Sequence, residues 1–317
     1  MNDEYVILAD PACVGWNFAL DIFEDLKSRG GNFELSPIKI KEFRDGEIKP
    51  RIEKNVRGKS CFFIHDSNKD PSRWFLEIGL INQALEKSSA KKVIDVFPYH
   101  RFARQDRKDE SRVPISAGVV ARLVDEYVDS VLTLDVHNPA IDGFYKTRFD
   151  NLLSFPIVIR YLRENFEISS ENTVMMSPDA GGATRAQEFA RRMGIEQVVI
   201  GYKVRKIEGE VDKLRISGEV SGKDVFIVDD IVDSGGTLVK ASSVVREQGA
   251  RKVYGYCTHG LFTKGIEYVL PHFDAFFVGD TLKQKEDVRL KVVPFAPLFA
   301  EAIYRISNGS SLSELFD

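Results

Sequence analysis

Residues 225–237 read VFIVDDIVDSGGT, and an α/β reading of the chain starts there. Val225 to Val228 form an apolar run of the length and composition of a strand buried on both faces. Asp229 and Asp230 follow where such a strand leaves its sheet, and Asp233-Ser-Gly-Gly-Thr237 turns into the next helix. Ligands of open α/β sheets bind at the carboxyl ends of strands. Gly235 and Gly236 let the backbone approach an anion closely, while Ser234, Thr237 and the helix N-terminus offer donors to a phosphate. The aspartates cannot bind that same phosphate, so their partners should be sugar hydroxyls, Mg2+ or both. A capping acid and a turn account for Asp233 and the glycines, but not for two further acids joined to an apolar strand.

Composition frames the rest. At 317 residues the chain exceeds one ordinary core, and two domains of roughly 150 residues are expected. An apolar share of 43% with 29% charged residues is that of a folded globular protein. A net charge of −4 gives no electrostatic footprint for nucleic acid. No run approaches the length of a membrane span, and MNDEYVILAD lacks the basic start of a signal peptide. Cys13, Cys61 and Cys257 are odd in number and far apart, which predicts reduced thiols and a cytoplasmic protein.

Short apolar runs alternate with amphipathic stretches. Strands are expected at 5–9, 61–65, 93–97, 131–136, 174–176, 198–200, 225–228, 253–257 and 276–278, and helices at 74–86, 116–127, 184–193 and 237–248. This alternation predicts parallel sheets with right-handed crossovers. The pattern looks doubled, with a fresh start near 156–166. The expectation is two similar α/β domains, 1–150 and 151–294, each a mainly parallel sheet flanked by helices. A helical segment within 295–317 is expected to pack back on the first.

Five other stretches carry chemistry. FPYHRFARQDRKDESRVPISA (97–117) clusters Arg101, Arg104, Arg107 and Lys108, which by composition alone is a solvated charge run. KEFRDGEI (41–48) is in isolation an ordinary turn at Gly46. VLTLDVH (131–137) places Asp135 and His137 at i,i+2 spacing, on one strand face. MMSPDAGGATR (175–185) repeats the strand–turn–helix logic, with Asp179 as cap or ligand. GYKVRKIEGEVDKLRI (201–216) is strongly charged and reads as an exposed hairpin or loop.

VFIVDDIVDSGGT resembles the phosphoribosyl-pyrophosphate (PRPP) signature shared by type I phosphoribosyltransferases and PRPP synthetases. ARQDRK…PISA, DGE, DVHNPAIDGFY, SPDAGG, CTHGLFTKG and the closing 297–316 resemble the PRPP synthetase family over essentially the whole chain. The resemblance implies two phosphoribosyltransferase-like domains. It also implies transfer of the diphosphoryl group of Mg2+-ATP to the anomeric hydroxyl of ribose 5-phosphate. By the same resemblance, Arg104 and Gln105 contact ATP, and Phe43, Asp45, Gly46 and Glu47 reach the adenine pocket of a neighbouring subunit. His137 and Asp179 help hold the metal, with Asp135 behind them. Lys203 and Arg205 are catalytic, Arg205 also meeting ribose 5-phosphate. Asp229, Asp230 and Asp233–Thr237 bind ribose 5-phosphate. The implied assembly is a dimer at least, and a hexamer as is common in the family. Two alternatives stand beside this reading: a PRPP-consuming phosphoribosyltransferase, and a non-catalytic subunit associated with PRPP synthetases. The sequence departs from the family pattern at Arg44, at His100 and across HDSNKDPSRWFLEIG (65–79).

Overall fold

The computed structural model describes residues 4–166, 168–204 and 213–316. In chain order the elements are β1 (Tyr5–Ala9), α1 (Trp16–Ser28), β2 (Phe33–Glu42), β3 (Ile48–Ile52), β4 (Ser60–Ile64), α2 (Pro71–Lys87), β5 (Lys92–Phe97), α3 (Ser116–Asp125), β6 (Ser130–Leu134) and β7 (Arg148–Leu152). They continue with α4 (Phe155–Asn165), β8 (Thr173–Ser177), α5 (Ala183–Met193), β9 (Val198–Val204), β10 (Lys213–Ile216), β11 (Asp224–Val232) and α6 (Gly236–Glu247). The last are β12 (Lys252–Gly260), α7 (Ile266–Val269), β13 (Ala275–Gly279), β14 (Leu290–Val293) and α8 (Ala296–Asn308).

The chain forms two compact units: 1–153 with 281–283 and 295–317, and 154–280 with 284–294. Each holds one seven-stranded sheet, ordered β3-β2-β1-β4-β5-β6-β7 in the first and β10-β9-β8-β11-β12-β13-β14 in the second. Counted along the chain, each strand of the second sheet takes the place of its counterpart in the first. Every pairing is parallel except β2–β3 and β9–β10. The strand order reverses between β1 and β4, and again between β8 and β11. Such switch points open a crevice beyond the strand ends, because successive crossovers leave in opposite directions.

The central strands are where the apolar runs predict them. The four edge strands β3, β7, β10 and β14 are not legible as apolar runs, and neither is β2. Edge strands are half exposed and carry charge and proline that discourage further pairing, as in IKPRI of β3. Without a continuous apolar run, they lose the signal on which the prediction rests.

Local chemistry sets the helix ends. Asp70 caps α2 by accepting from the Ser72 amide at 2.8 Å, with Pro71 at the first helical position. Gly194 and Gly309 end α5 and α8 in the left-handed region. In the first unit, Val6, Leu8, Phe97, Val120 and Val131 share one core. There α8 packs on α1 through an edge contact of Phe18 and Phe299, with centroids 5.5 Å apart. Tyr5 ties the end of α8 to β1 by donating to the Ser307 carbonyl at 2.6 Å. In the second unit, Val174, Ile227, Leu238, Val253 and Phe276 form the core.

Candidate functional site

The acid-tipped strand lies at the switch point of the second unit. β11 pairs with β8 only as far as Ile227, opposite Met176. It then runs on beside β12, with Ile231 opposite His259 and Val232 opposite Gly260. The expectation that Asp229 and Asp230 mark the strand's exit from the sheet is therefore corrected: the exit comes at Val232. What ends before Asp229 is the neighbour on one side, so both acids stand on the flank that β8 has vacated.

Asp230 is 5% exposed. Asp229 accepts the Asp230 amide at 2.9 Å. Arg185, in the first turns of α5, brings Nη1 to 3.2 Å from Asp230 Oδ1 and 3.8 Å from Asp229 Oδ1. Burial, and then the neighbouring Asp230 carboxylate, hold the Asp229 carboxyl well above the usual carboxylate range, with Arg185 only partly opposing them. Two adjacent carboxylates offer oxygens of the kind that a hard cation or hydroxyl donors take. Sequence reasoning gave Arg185 no role; its signal was an arginine three residues past the Gly181-Gly182 pair.

The turn after β11 is braced from the segment following β12. Leu261 and Phe262 amides donate to the Val232 carbonyl at 2.8 and 3.2 Å, and the Thr263 amide donates to the Asp233 carbonyl at 2.8 Å. The Thr263 hydroxyl donates to Asp233 Oδ1 at 2.8 Å. Asp233 thus shapes the turn with its carboxylate. Gly235 sits at φ +79° and hands the chain to α6, whose first amides have no carbonyl one turn back to bond. The Gly236 amide points at Ser234 Oγ, 3.5 Å away.

On the other side of the switch point, Asp179 Oδ1 accepts the amides of Gly181 and Gly182 at 2.9 and 3.2 Å. This is the capping role weighed from the sequence. Lys203 lies in β9, its backbone opposite Leu214 of β10. Its side chain and the whole of Arg205 lie outside the described residues.

In the first unit, Arg104, Gln105, Asp106, Arg107, Pro114 and His137 line one open cavity between the segments that follow β5 and β6. Gln105 is set by the Ser116 hydroxyl, which donates to its Oε1. Asn138 joins the two walls by donating to Asp106. The inference that Asp135 and His137 share a strand face is corrected. β6 ends at Leu134, and Asp135 adopts φ +40°, so period-two alternation no longer applies. Asp135 is turned into the protein while His137 is exposed.

The turn Phe43–Glu47 does not line this cavity. It is the exposed tip of the β2–β3 hairpin, with Gly46 at φ +89° and Asp45 Oδ1 accepting the Glu47 amide at 3.1 Å. Phe43 is 39% exposed and carries Lys41 Nζ 5.1 Å from its ring centre. Among the described residues, no three His, Cys, Asp or Glu side chains converge as a metal cluster.

His100 lies beneath the cavity wall, 1% exposed. Burial pulls its pKa down to about 4, with the Arg101 backbone carbonyl only partly opposing it. The folded state keeps it neutral while the unfolded chain protonates near 6.5. Stability from this site is therefore complete above pH 6.5 and falls toward pH 4, by roughly 3 kcal/mol over that window. Urea denaturation of His100→Phe across pH 4–7 should show a shallower acid slope than the parent.

Known proteins share these features. Residues 17–127 match a family model described as the N-terminal domain of ribose phosphate pyrophosphokinase. Residues 204–317 match one described as the phosphoribosyl synthetase-associated domain. A ribose-phosphate pyrophosphokinase of Cereibacter sphaeroides is 37% identical over 296 residues, covering 91% of this chain and 88% of that protein. One from Bradyrhizobium diazoefficiens is 36% identical over 301 residues, covering 92% and 93%. The crystal structure of phosphoribosylpyrophosphate synthetase from Mycobacterium smegmatis superposes with a TM-score of 0.85 at 26% identity, covering 97% of this chain and all of that one.

Proposed function

The chain belongs to the ribose-phosphate pyrophosphokinase family, and from that premise we propose how its residues divide the reaction. The enzyme moves the diphosphoryl group of ATP to the anomeric hydroxyl of ribose 5-phosphate, giving PRPP and AMP. A bond forms between the sugar oxygen and the β-phosphorus, and the bond from that phosphorus to the α-phosphate oxygen breaks. Such a transfer needs little covalent help, so positioning and charge stabilisation carry it.

Asp229 and Asp230 grip the ribose hydroxyls beside Arg185, while Ser234, Thr237 and the amides of Gly235 and Gly236 receive the 5-phosphate. Asp233 acts indirectly, by fixing that turn. Arg104 and Gln105 hold the polyphosphate of ATP, with His137 across the same cavity. Lys203 and Arg205 contact the transferring group.

The acid pair fits Mg2+, a hard cation that takes carboxylate oxygens, since two neighbouring carboxylates stand together there, with Arg185 Nη1 at 3.2 and 3.8 Å. His137 and Asp179 are further proposed contacts to the metal and its nucleotide, with Asp135 behind His137. When bound, Mg2+ would neutralise charge developing on the diphosphoryl group.

The Phe43–Glu47 turn is exposed and remote from its own unit's cavity lining, which favours a role at the adenine of a neighbouring subunit. The assembly is then a homo-oligomer, a dimer at least and a hexamer by family likeness. Unpaired Cys13, Cys61 and Cys257 fit a cytoplasmic setting.

The acid pair beside a glycine turn at the switch point is the observation that carries this reading. Incubation with ribose 5-phosphate and Mg2+-ATP, followed by 31P NMR, tests it. AMP and PRPP should appear together. If AMP does not form, the non-catalytic reading replaces this one.

A further inference from the structure

We infer that His100 and Tyr145 are positioning residues for the nucleotide, a buried clasp that fixes the separation of the cavity wall carrying Arg104 and Gln105 from the wall carrying His137. The inference rests on the proposed placement of ATP in that cavity.

His100 belongs to the segment after β5, and Tyr145 closes the segment after β6. His100 Nε2 lies 2.5 Å from the Tyr145 hydroxyl, and His100 Nδ1 lies 2.9 Å from the Arg101 carbonyl. A carbonyl only accepts, so Nδ1 carries the proton and Nε2 accepts from Tyr145. Both residues are buried, at 1% and 8% exposure, so neither group can exchange its partner for water. The two rings meet edge-on, at 6.0 Å and 89°, and Phe149 packs against both.

The wall that His100 holds is fixed on its far side too. Arg101 Nη2 donates to the Ser67 and Lys69 carbonyls at 2.6 and 2.7 Å. The Ser67 hydroxyl donates to the Tyr99 carbonyl at 3.1 Å. Phe102 then takes φ +63°, a costly conformation that persists only where its surroundings impose it. Arg104 and Gln105 follow directly. Asn138 and Asp106 join the same walls at the rim, and the clasp joins them in the dry interior, where a hydrogen bond holds its geometry best.

Loss of either clasp partner leaves its mate unpaired in the interior, whereas loss of both removes that unpaired mate, with the Arg101 carbonyl alone losing its His100 donor. We would measure the KM for both substrates, kcat and Tm of the full-length enzyme carrying Tyr145→Phe, His100→Phe, or both. Each single variant is expected to raise the KM for ATP roughly tenfold, with the KM for ribose 5-phosphate unchanged, and the double variant should recover most of the loss. The inference is overturned if the folded single variants keep the parental KM for ATP, or if both KM values move together, as a general loss of structure would cause. Should His100→Phe not fold, Tyr145→Phe decides the matter by the same ratio of KM values. Arg104→Ala, measured in parallel, separates the premises. An unchanged KM for ATP there removes ATP from the cavity. A raised value beside a normal Tyr145→Phe enzyme removes only the clasp.

Discussion

Asp229→Asn is expected to raise the melting temperature while lowering kcat/KM for ribose 5-phosphate by about 10³. The stability part follows from the raised pKa of this carboxyl, which burial and Asp230 both cause. A carboxyl whose folded pKa exceeds its unfolded value stabilises the fold only while protonated, so stability declines as pH rises from about 3.8 through the folded value. Asparagine cannot ionise and escapes that decline. Its amide oxygen can still accept the Asp230 amide, and Asp230 keeps Arg185 as a partner. Each kcal/mol gained would move Tm by a few degrees.

The activity part follows from lost charge-assisted hydrogen bonds to the sugar. Each such bond is worth about 1.5–3 kcal/mol, so two account for the expected factor, which is about 4 kcal/mol. Calorimetric melting at pH 5 and pH 8, with initial rates, checks both halves. An enzyme that is neither more stable at pH 8 nor slower would show that Asp229 is an ordinary solvated acid. Site residues held in mutual repulsion are where stability and activity trade against each other.

Gly235→Ala should do most harm among the glycine positions. Its φ of +79° already penalises any side chain by about 1–2 kcal/mol. A Cβ built there would also lie 2.2 Å from Val269 Cγ2, an overlap that costs a further 1–3 kcal/mol or displaces the turn. If the turn moves, the amides meant for the 5-phosphate move with it, and the KM for ribose 5-phosphate should rise about 100-fold. Gly194→Ala is the matched control. It has φ +70° at the end of α5 with nothing within 4 Å of the added carbon, and should cost only about 1 kcal/mol without touching KM. Equal losses in the two variants would refute the packing argument and leave backbone strain as the whole effect.

The central strands were legible because burial on both faces forces continuous apolar runs, as Val225 to Val228 illustrate. The turn after them was legible too, since a chain that leaves a strand and enters a helix through a left-handed residue needs a glycine such as Gly235 there. The edge strands were not, because half-exposed strands such as IKPRI satisfy no apolar pattern. Arg185 was also missed: it meets Asp229 and Asp230 across some 45 residues of chain, and no local spacing encodes that meeting. Asp135 was misread because alternation presumes that a strand continues, and this one ends one residue earlier.

From its amino acids alone the chain was committed to two α/β halves and to a glycine turn after an acid-tipped strand, since hydrophobic period and turn chemistry are local properties. The division of labour between the halves needed the folded chain. Both sheets have the same strand order, yet their switch points are filled differently. In the first unit, Lys69 bridges Asp10 and Glu77 at 2.7 Å each. In the second, Asp229 and Asp230 share one arginine beside a glycine turn. Which distant residue reaches an acid is not encoded in local spacing, and only packing sets it.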